Sequence, residues 1–484
     1  MRAIHRIQVA GALLAAAACS DNTSPSTPTQ LAFVVEPNDA GVGSSITPAV
    51  VVAVKDDAGR TVWTWTDTVH LSLATGGDSA TLAGATSVAA VSGTAVFDDL
   101  RLMGTGAAHR LLARSGKLSE ASSRPFAAHG LFTAASVAAG GFHTCALAAD
   151  GTPFCWGLNP SGQFPVTQDP LPTPVPTSLR FAVITVGYWH ACGLTSEGVA
   201  YCWGDNAGGE LGDGTTVSSA TPRRITLATP LIALGAGFEH TCGLAADGRA
   251  YCWGGNDWGQ LGDGTDSIRA TPTAVAGGLT FVALSAGFWH TCGLTADGAA
   301  YCWGSDVYGE VGDGYINHQG PTGQPRPAPT AVAGGHRFTS LTAGGGSCHG
   351  KTCGIATDGT TWCWGRSYQT MDLDSIPTAL TGGQAFARMA IGGTAVCGVT
   401  TSGALYCWGQ GFEGVVGNGT TDWVRTPTRI AEGQLFASVS MGQEHTCAVA
   451  VEGTVLCWGS NRQGQLGSSL GAAGWSLPVP VWKP

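Results

Sequence analysis

Seven times along this chain a cysteine is followed ten residues later by a second one, and in five of those places a histidine stands two positions before the first. The pairs are Cys145 with Cys155, Cys192 with Cys202, Cys242 with Cys252, Cys292 with Cys302, Cys353 with Cys363, Cys397 with Cys407 and Cys447 with Cys457. Residues two apart on a β-strand share a face, so His290, Cys292 and a facing Cys302 have the donor types of a tetrahedral zinc site. The same sulfurs held opposite one another would instead form a disulfide. The repeats decide between the two. The fifth copy has Lys351 and the sixth has Ala395 at the histidine position, yet both keep their cysteines. The pairs do not need the imidazole. We therefore expect seven disulfides, no metal and no cofactor, with the histidines at 143, 190, 240, 290 and 445 bonding neighbouring backbone groups.

Facing cysteines require a hairpin, and the copy at residues 281 to 314 supplies one. Its Ala296-Asp297-Gly298 reads as a three-residue turn with glycine in the left-handed position. Counted outward from that turn, Leu294 faces Ala300, Gly293 faces Tyr301 and Cys292 faces Cys302, at a non-hydrogen-bonded site where the backbones come closest. Measured between first cysteines, the unit recurs at 47, 50, 50, 61, 44 and 50 residues. A unit of that length supplies four short strands, one blade of a propeller. Tryptophans 156, 203, 253, 303, 364, 408 and 458 each follow the second cysteine and precede glycine, and are expected to be buried between blades. The closing LPVPVWKP is expected to complete a blade begun near Phe132.

Composition agrees with an all-β chain. Among 484 residues, 73 Gly and 24 Pro leave few uninterrupted stretches of helical length, while 44% hydrophobic residues can fill a large core. With 23 Lys and Arg against 33 Asp and Glu the net charge is −10, and no basic run is present to neutralise phosphates, so nucleic acid is excluded as a partner class. Residues 1–19 place Arg2 and Arg6 ahead of an apolar run from Val9 to Ala18, too short to cross a bilayer. This segment resembles a bacterial lipoprotein signal peptide, with Ala16, Ala17 and Ala18 before Cys19 as lipid acceptor, although the family usually has leucine where Ala16 stands. The resemblance implies an extracytoplasmic protein, at the outer membrane or cell surface or else secreted, that meets the membrane only through a lipid on Cys19.

Residues 20–30 are rich in Ser, Thr and Pro and read as a flexible linker. Residues 31–128 alternate in about seven short segments and resemble bacterial immunoglobulin-like modules in LAFVVEP, VAVKDDAGRTV and TAVFDDLRL. This span has no cysteine, so its expected β-sandwich rests on packing of residues such as Val52, Val54, Leu71, Leu73, Val96 and Phe97.

From 131 to 484 the repeats resemble those of the regulator of chromosome condensation family. Residues 236 to 264, AGFEHTCGLAADGRAYCWGGNDWGQLGDG, carry its His-Thr pair, D-G turn, W-G-x-N and G-Q-L-G elements. The resemblance implies a seven-bladed β-propeller. Copies one and five depart from it, reading SGQFP and RSYQT in place of G-Q-L-G. The family namesake exchanges nucleotide on a nuclear GTPase, which an exported protein would not meet.

Large side chains that break the repeat mark the expected binding face: Tyr188, Trp189, Phe238, Phe288 and Trp289 before the histidines, and Trp258, Tyr308 and Phe412 in the loops after Trp-Gly. Such a surface recognises a protein or a glycan. Motifs of nucleophilic, zinc-hydrolytic or phosphate-binding enzymes are absent from the sequence, and Asp213, Asp263 and Asp313 recur as turn caps do, so no catalytic residue is assigned. The expected function is an exported, lipid-anchored binding protein and not an enzyme; the alternative is an extracytoplasmic hydrolase with its site at the propeller mouth. A pocket with converging carboxylates would favour the hydrolase.

Overall fold

A computed structural model describes residues 27–46, 48–74, 80–158, 168–315, 325–346, 349–370, 372–468 and 474–483. Cys19, Cys348 and most of the 20–30 linker lie outside these residues. The chain divides into two compact units, Met1–His129 and Gly130–Pro484.

In the first unit a three-stranded sheet (Gln30–Val35, Val50–Lys55, Thr94–Phe97) and a four-stranded sheet (Ala121–Ser122, Leu111–Arg114, Thr68–Leu73, Ser87–Ala89) contribute to one core. Val52, Val54 and Phe97 meet Val69, Leu71 and Leu111 there, all nearly inaccessible. Val50–Lys55 is buried at five successive positions, as its unbroken VVVAV requires of a strand covered on both faces. Leu73 is partly buried against this core. Val96 is 42% exposed and does not belong to it. It alternates with Ala95 and Phe97, so the pleat turns it outward. Twelve short strands are seen among the described residues where the sequence suggested about seven, because bulges and bends cut the longer segments.

The second unit is seven four-stranded antiparallel sheets, each built from four consecutive strands. In the fourth these are Ala283–Ala286, His290–Leu294, Ala300–Gly304 and Arg326–Ala331. The hairpin has the register counted from its turn: Leu294 opposite Ala300, Gly293 opposite Tyr301, Cys292 opposite Cys302. All seven cysteine pairs are bonded, each with Cα atoms 4.1 Å apart. That separation is the close one of a non-hydrogen-bonded pair. Seven bonded pairs place the protein in an oxidising environment.

After the second cysteine every sheet slips register by two residues at the tryptophan, a step of two on that strand facing a step of four on the outer strand. The following glycine adopts φ near 104° at Gly304, a conformation closed to larger residues, which accounts for the recurring Trp-Gly. All seven tryptophans are fully buried.

Each sheet contacts the next and the seventh contacts the first. Ala139 N–H donates to Ser440 Oγ at 2.9 Å, and Trp156 Nε1 donates to the Gln465 carbonyl at 3.0 Å. The C-terminal strand Trp475–Pro480 completes the seventh sheet and not, as expected, the first. Because every blade uses four consecutive strands, the chain end joins the first blade only by its tip, where Phe132 N–H donates to the Val481 carbonyl at 2.9 Å.

Candidate functional site

The histidines act between blades. His190, His240 and His290 place Nε2 2.9 Å from the hydroxyls of Thr241, Thr291 and Thr352 on the next blade, and His445 reaches Thr144 at 2.8 Å. The partner is a threonine hydroxyl, not the backbone group expected. The threonine in turn donates to a carbonyl in the loop of the preceding blade. Glu210 O, Gln260 O, Glu310 O, Val415 O and Gln465 O accept from Thr241, Thr291, Thr352, Thr446 and Thr144 at 2.9 to 3.1 Å. The same five carbonyls accept the indole N–H of Trp253, Trp303, Trp364, Trp458 and Trp156. With its own proton given to the carbonyl, the hydroxyl accepts from Nε2–H, which sets the tautomer.

Three junctions lack the full relay: before Thr446 the histidine is replaced by Ala395, and the other two follow the copies whose G-Q-L-G element is altered. At those two the threonine is replaced by Ala191 and Val396. A buried hydroxyl without the loop carbonyl would stand unsatisfied. His143, facing the blade that has Ala191, has neither ring nitrogen bonded among the described residues. The imagined zinc triad is engaged elsewhere: the sulfurs of Cys292 and Cys302 are joined, and His290 holds Thr352. Replacing Thr291 by valine should cost about 1–3 kcal/mol, since the buried His240 donor loses its acceptor, while Thr291→Ser should recover most of it. Urea denaturation of the three proteins measures the difference.

The relays and the indole bonds tie neighbouring blades together around a central channel of about 260 Å³, which the innermost strands line with Ala, Val and Gly. At Gly237 a Cβ would come within 2.4 Å of the Gly287 carbonyl, so the close approach of neighbouring blades excludes any side chain. Polar side chains of the described lining are Tyr188, Thr342, Ser440 and Gln443; no carboxylate is among them. Asp213, Asp263 and Asp313 each accept the backbone N–H two residues on at 2.9 to 3.0 Å and cap turns, as their repetition implied.

Where the innermost strands of blades one to four end, aromatic side chains meet. Phe238 lies 4.5 Å from Tyr188, 4.3 Å from Phe288 and 4.4 Å from Trp289 between ring centroids. Trp189 joins through Tyr188 at 4.8 Å, and Trp258 through Trp289 at 6.4 Å. Six of the eight aromatic residues singled out in the sequence thus form one continuous network. Phe142 extends it, 5.6 Å from both Tyr188 and Trp189. It holds the place of Trp189 and Trp289, immediately before His143, with Gly141 where blades two to four have an aromatic residue.

Tyr188, Trp189, Phe238, Trp258 and Trp289 are half-buried, whereas Phe288 is only 6% exposed and backs the surface from beneath. Tyr308 sits half-buried in the loop of blade four, its N–H donating to Glu310 Oε2 at 2.6 Å. Phe412, 63% exposed, lies on blade six, away from blades one to four.

Carboxylates accompany the rings. Glu239 stands where its neighbouring blades have Trp189 and Trp289, and burial, with Asp257 and Asp205 nearby, raises its pKa. Burial also pushes Glu210 up to about 7.

Family models match residues 134–163, 182–210, 232–260, 281–310 and 436–465, and in a second form residues 197–244, 247–294 and 402–449, both described as the Regulator of chromosome condensation (RCC1) repeat. The matched segments are RCC1 repeats. Blade five, with its insertion and Lys351, lies outside them. Solved structures similar to this chain include human WBSCR16, at 20% identity and TM-score 0.60, over 70% of this chain and 92% of that one. Yeast RCC1 (Prp20) in complex with Kap60 aligns at 21% identity and TM-score 0.60, covering 68% and 83%. Prp20p from Saccharomyces cerevisiae, in a study of its binding to Gsp1p and histones, aligns at 22% and 0.59, covering 69% and 87%. These likenesses establish the RCC1-like propeller fold. No curated protein sequence matches the chain.

Proposed function

We propose that the protein is an exported binding protein, anchored by a lipid on Cys19, whose propeller recognises a protein or glycan through the aromatic face of blades one to four. On this reading the first unit, taken as an immunoglobulin-like sandwich on residues 31–128, and the 20–30 linker hold the propeller away from the membrane surface. The observation that carries the proposal is the continuous network from Phe142 to Trp258, half-buried aromatic area held at the edge of a rigid ring. Rings fixed by their neighbours lose little conformational freedom on binding, and large aromatic side chains dominate the energetics of interfaces. Recognition is favoured over hydrolysis because the described channel lining brings no carboxylates together. That an RCC1-like propeller serves as a protein-binding scaffold is in keeping with the Kap60 complex of the yeast relative.

The test is affinity capture from the extracytoplasmic milieu, comparing the wild-type protein with Trp189→Ala/Trp289→Ala. We expect the specific partner to be lost from the double variant at unchanged melting temperature, an effect on affinity of 100-fold or more. Equal capture by both proteins would remove the aromatic face from consideration.

A further inference from the structure

The aromatic face is interrupted at one place by a charge. Trp189, Glu239 and Trp289 occupy the same position on blades two, three and four, immediately before the buried histidine. Their carbonyls accept equivalent bonds, from Asp205 N–H at 2.9 Å, Gly255 N–H at 2.6 Å and Ser305 N–H at 2.9 Å. The three side chains therefore leave the backbone from matching places, with the carboxylate between the two indoles.

Further acidic groups surround it. Asp205 follows the Trp-Gly bulge of blade two, Asp257 precedes Trp258, and Glu444 at the same position on blade seven lies close enough to Tyr188 to act on it electrostatically. Elsewhere on this unit comparable carboxylates are neutralised from within: Asp263 pairs with Arg269 and Asp313 with Arg326, each at 2.8 Å. Glu239, Asp257 and Glu444 enter no ion pair among the described residues. Like charges beside one another, the half-buried Glu239 and the exposed Asp257 among them, repel, and the repulsion is relieved by a cation supplied from outside. Aromatic faces flanking such a carboxylate favour the same kind of ligand, since a guanidinium or ammonium group is attracted to the π-face while its charge meets the carboxylate.

We propose that this face docks a basic polypeptide segment, with an arginine or lysine side chain lying against Trp189 and Trp289 and its charge on Glu239. The inference rests on the reading of the aromatic face as the binding surface and narrows its partner to one of opposite charge. An excess of acidic residues over the whole chain, 33 against 23, adds long-range steering of such a partner.

Fluorescein-labelled nona-arginine, with nona-glutamate and a neutral oligosaccharide as counterparts, provides the probes, and fluorescence anisotropy on the full oxidised protein provides the readout. Nona-arginine should bind, nona-glutamate should not, and affinity should fall steeply with salt. Glu239→Gln, which keeps the shape and removes the charge, should weaken nona-arginine about tenfold. Trp189→Ala/Trp289→Ala should weaken it further. Asp57→Asn/Asp98→Asn, which removes two exposed charges from the first unit, should leave it unchanged.

If Glu239→Gln binds nona-arginine as well as the wild type does, or if the first-unit control weakens it equally, the basic partner is overturned. Binding of the oligosaccharide that Trp189→Ala/Trp289→Ala abolishes and Glu239→Gln does not affect would overturn it too, while leaving the face itself as the binding surface. Indifference of every probe and of the captured partner to the tryptophan variant would overturn both readings.

Discussion

Once its seven disulfides are reduced in denaturant, the repeat unit is expected not to refold on dilution into reducing buffer at 25 °C. Each bond closes a ten-residue loop, worth about 2.7 kcal/mol on the chain-entropy model. Seven separate loops together approach roughly 19 kcal/mol, more than the 5–15 kcal/mol that ordinarily separates folded from unfolded protein. Reductant without denaturant should act slowly, because thirteen of the fourteen sulfur-bearing residues are no more than 1% exposed and Cys363 is 6% exposed. Near-UV circular dichroism after refolding with and without reductant measures the effect. Full recovery in reductant would show that core packing alone suffices. Replacing one pair, Cys242→Ala/Cys252→Ala, should cost about 2–3 kcal/mol and leave the fold intact.

Acid should be the second strong destabiliser. Burial holds His143, His240, His290 and His445 at about 3 and His190 at about 4, against 6.5 for a free imidazole. A group whose folded pKa is depressed in this way gives its full stabilisation above pH 6.5 and loses it as the pH falls toward the folded value, because the unfolded chain takes up the proton first. Glu210 and Asp306, raised by burial to about 7, work in the opposite sense, from pH 7 down to 4.5 for Glu210 and 3.8 for Asp306. That offset ends once the unfolded carboxyls also protonate. Below about pH 4, where His190 has also taken up its proton in the folded chain, the other four histidines act unopposed, at roughly 1.4 kcal/mol each per pH unit, or about 6 kcal/mol per unit together. The repeat unit should therefore unfold cooperatively on the acid side of about pH 4. His143→Leu, which removes a histidine with no bonded partner among the described residues, should lower the midpoint. Retention of native circular dichroism at pH 3 would contradict the account.

What the sequence made legible was local or periodic. The hairpin register follows from a three-residue turn counted outward, and that count alone names all fourteen cysteine partners. The burial of seven tryptophans follows from their recurrence at one strand position. The relay from histidine to threonine is not legible within one copy, because its two members lie on successive copies, 51 to 62 residues apart along most of the chain. A signal was nonetheless present. Threonine gives way to Ala191 and Val396 only after the copies reading SGQFP and RSYQT, which is what a hydroxyl dependent on a loop carbonyl would do.

The face was partly legible for a similar reason. Large residues that break a repeat stand out, but whether they touch depends on how neighbouring blades converge. Phe288 is buried among the others, Phe142 joins them, and Glu239 holds on blade three the position that Trp189 and Trp289 hold on blades two and four. None of these follows from spacing within a single copy. In the first unit, alternation placed Val52, Val54, Leu71 and Phe97 correctly, whereas Val96, adjacent to Phe97, belongs to the opposite face of the pleat.

The whole reading stands on an oxidised, covalently stapled ring, and peptide mapping of unreduced protein recovered from the cells that make it tests this most directly. The account predicts seven bridged hairpin peptides, each joining cysteines ten residues apart within one blade. Free thiols at these positions, or bridges running between blades, would contradict it.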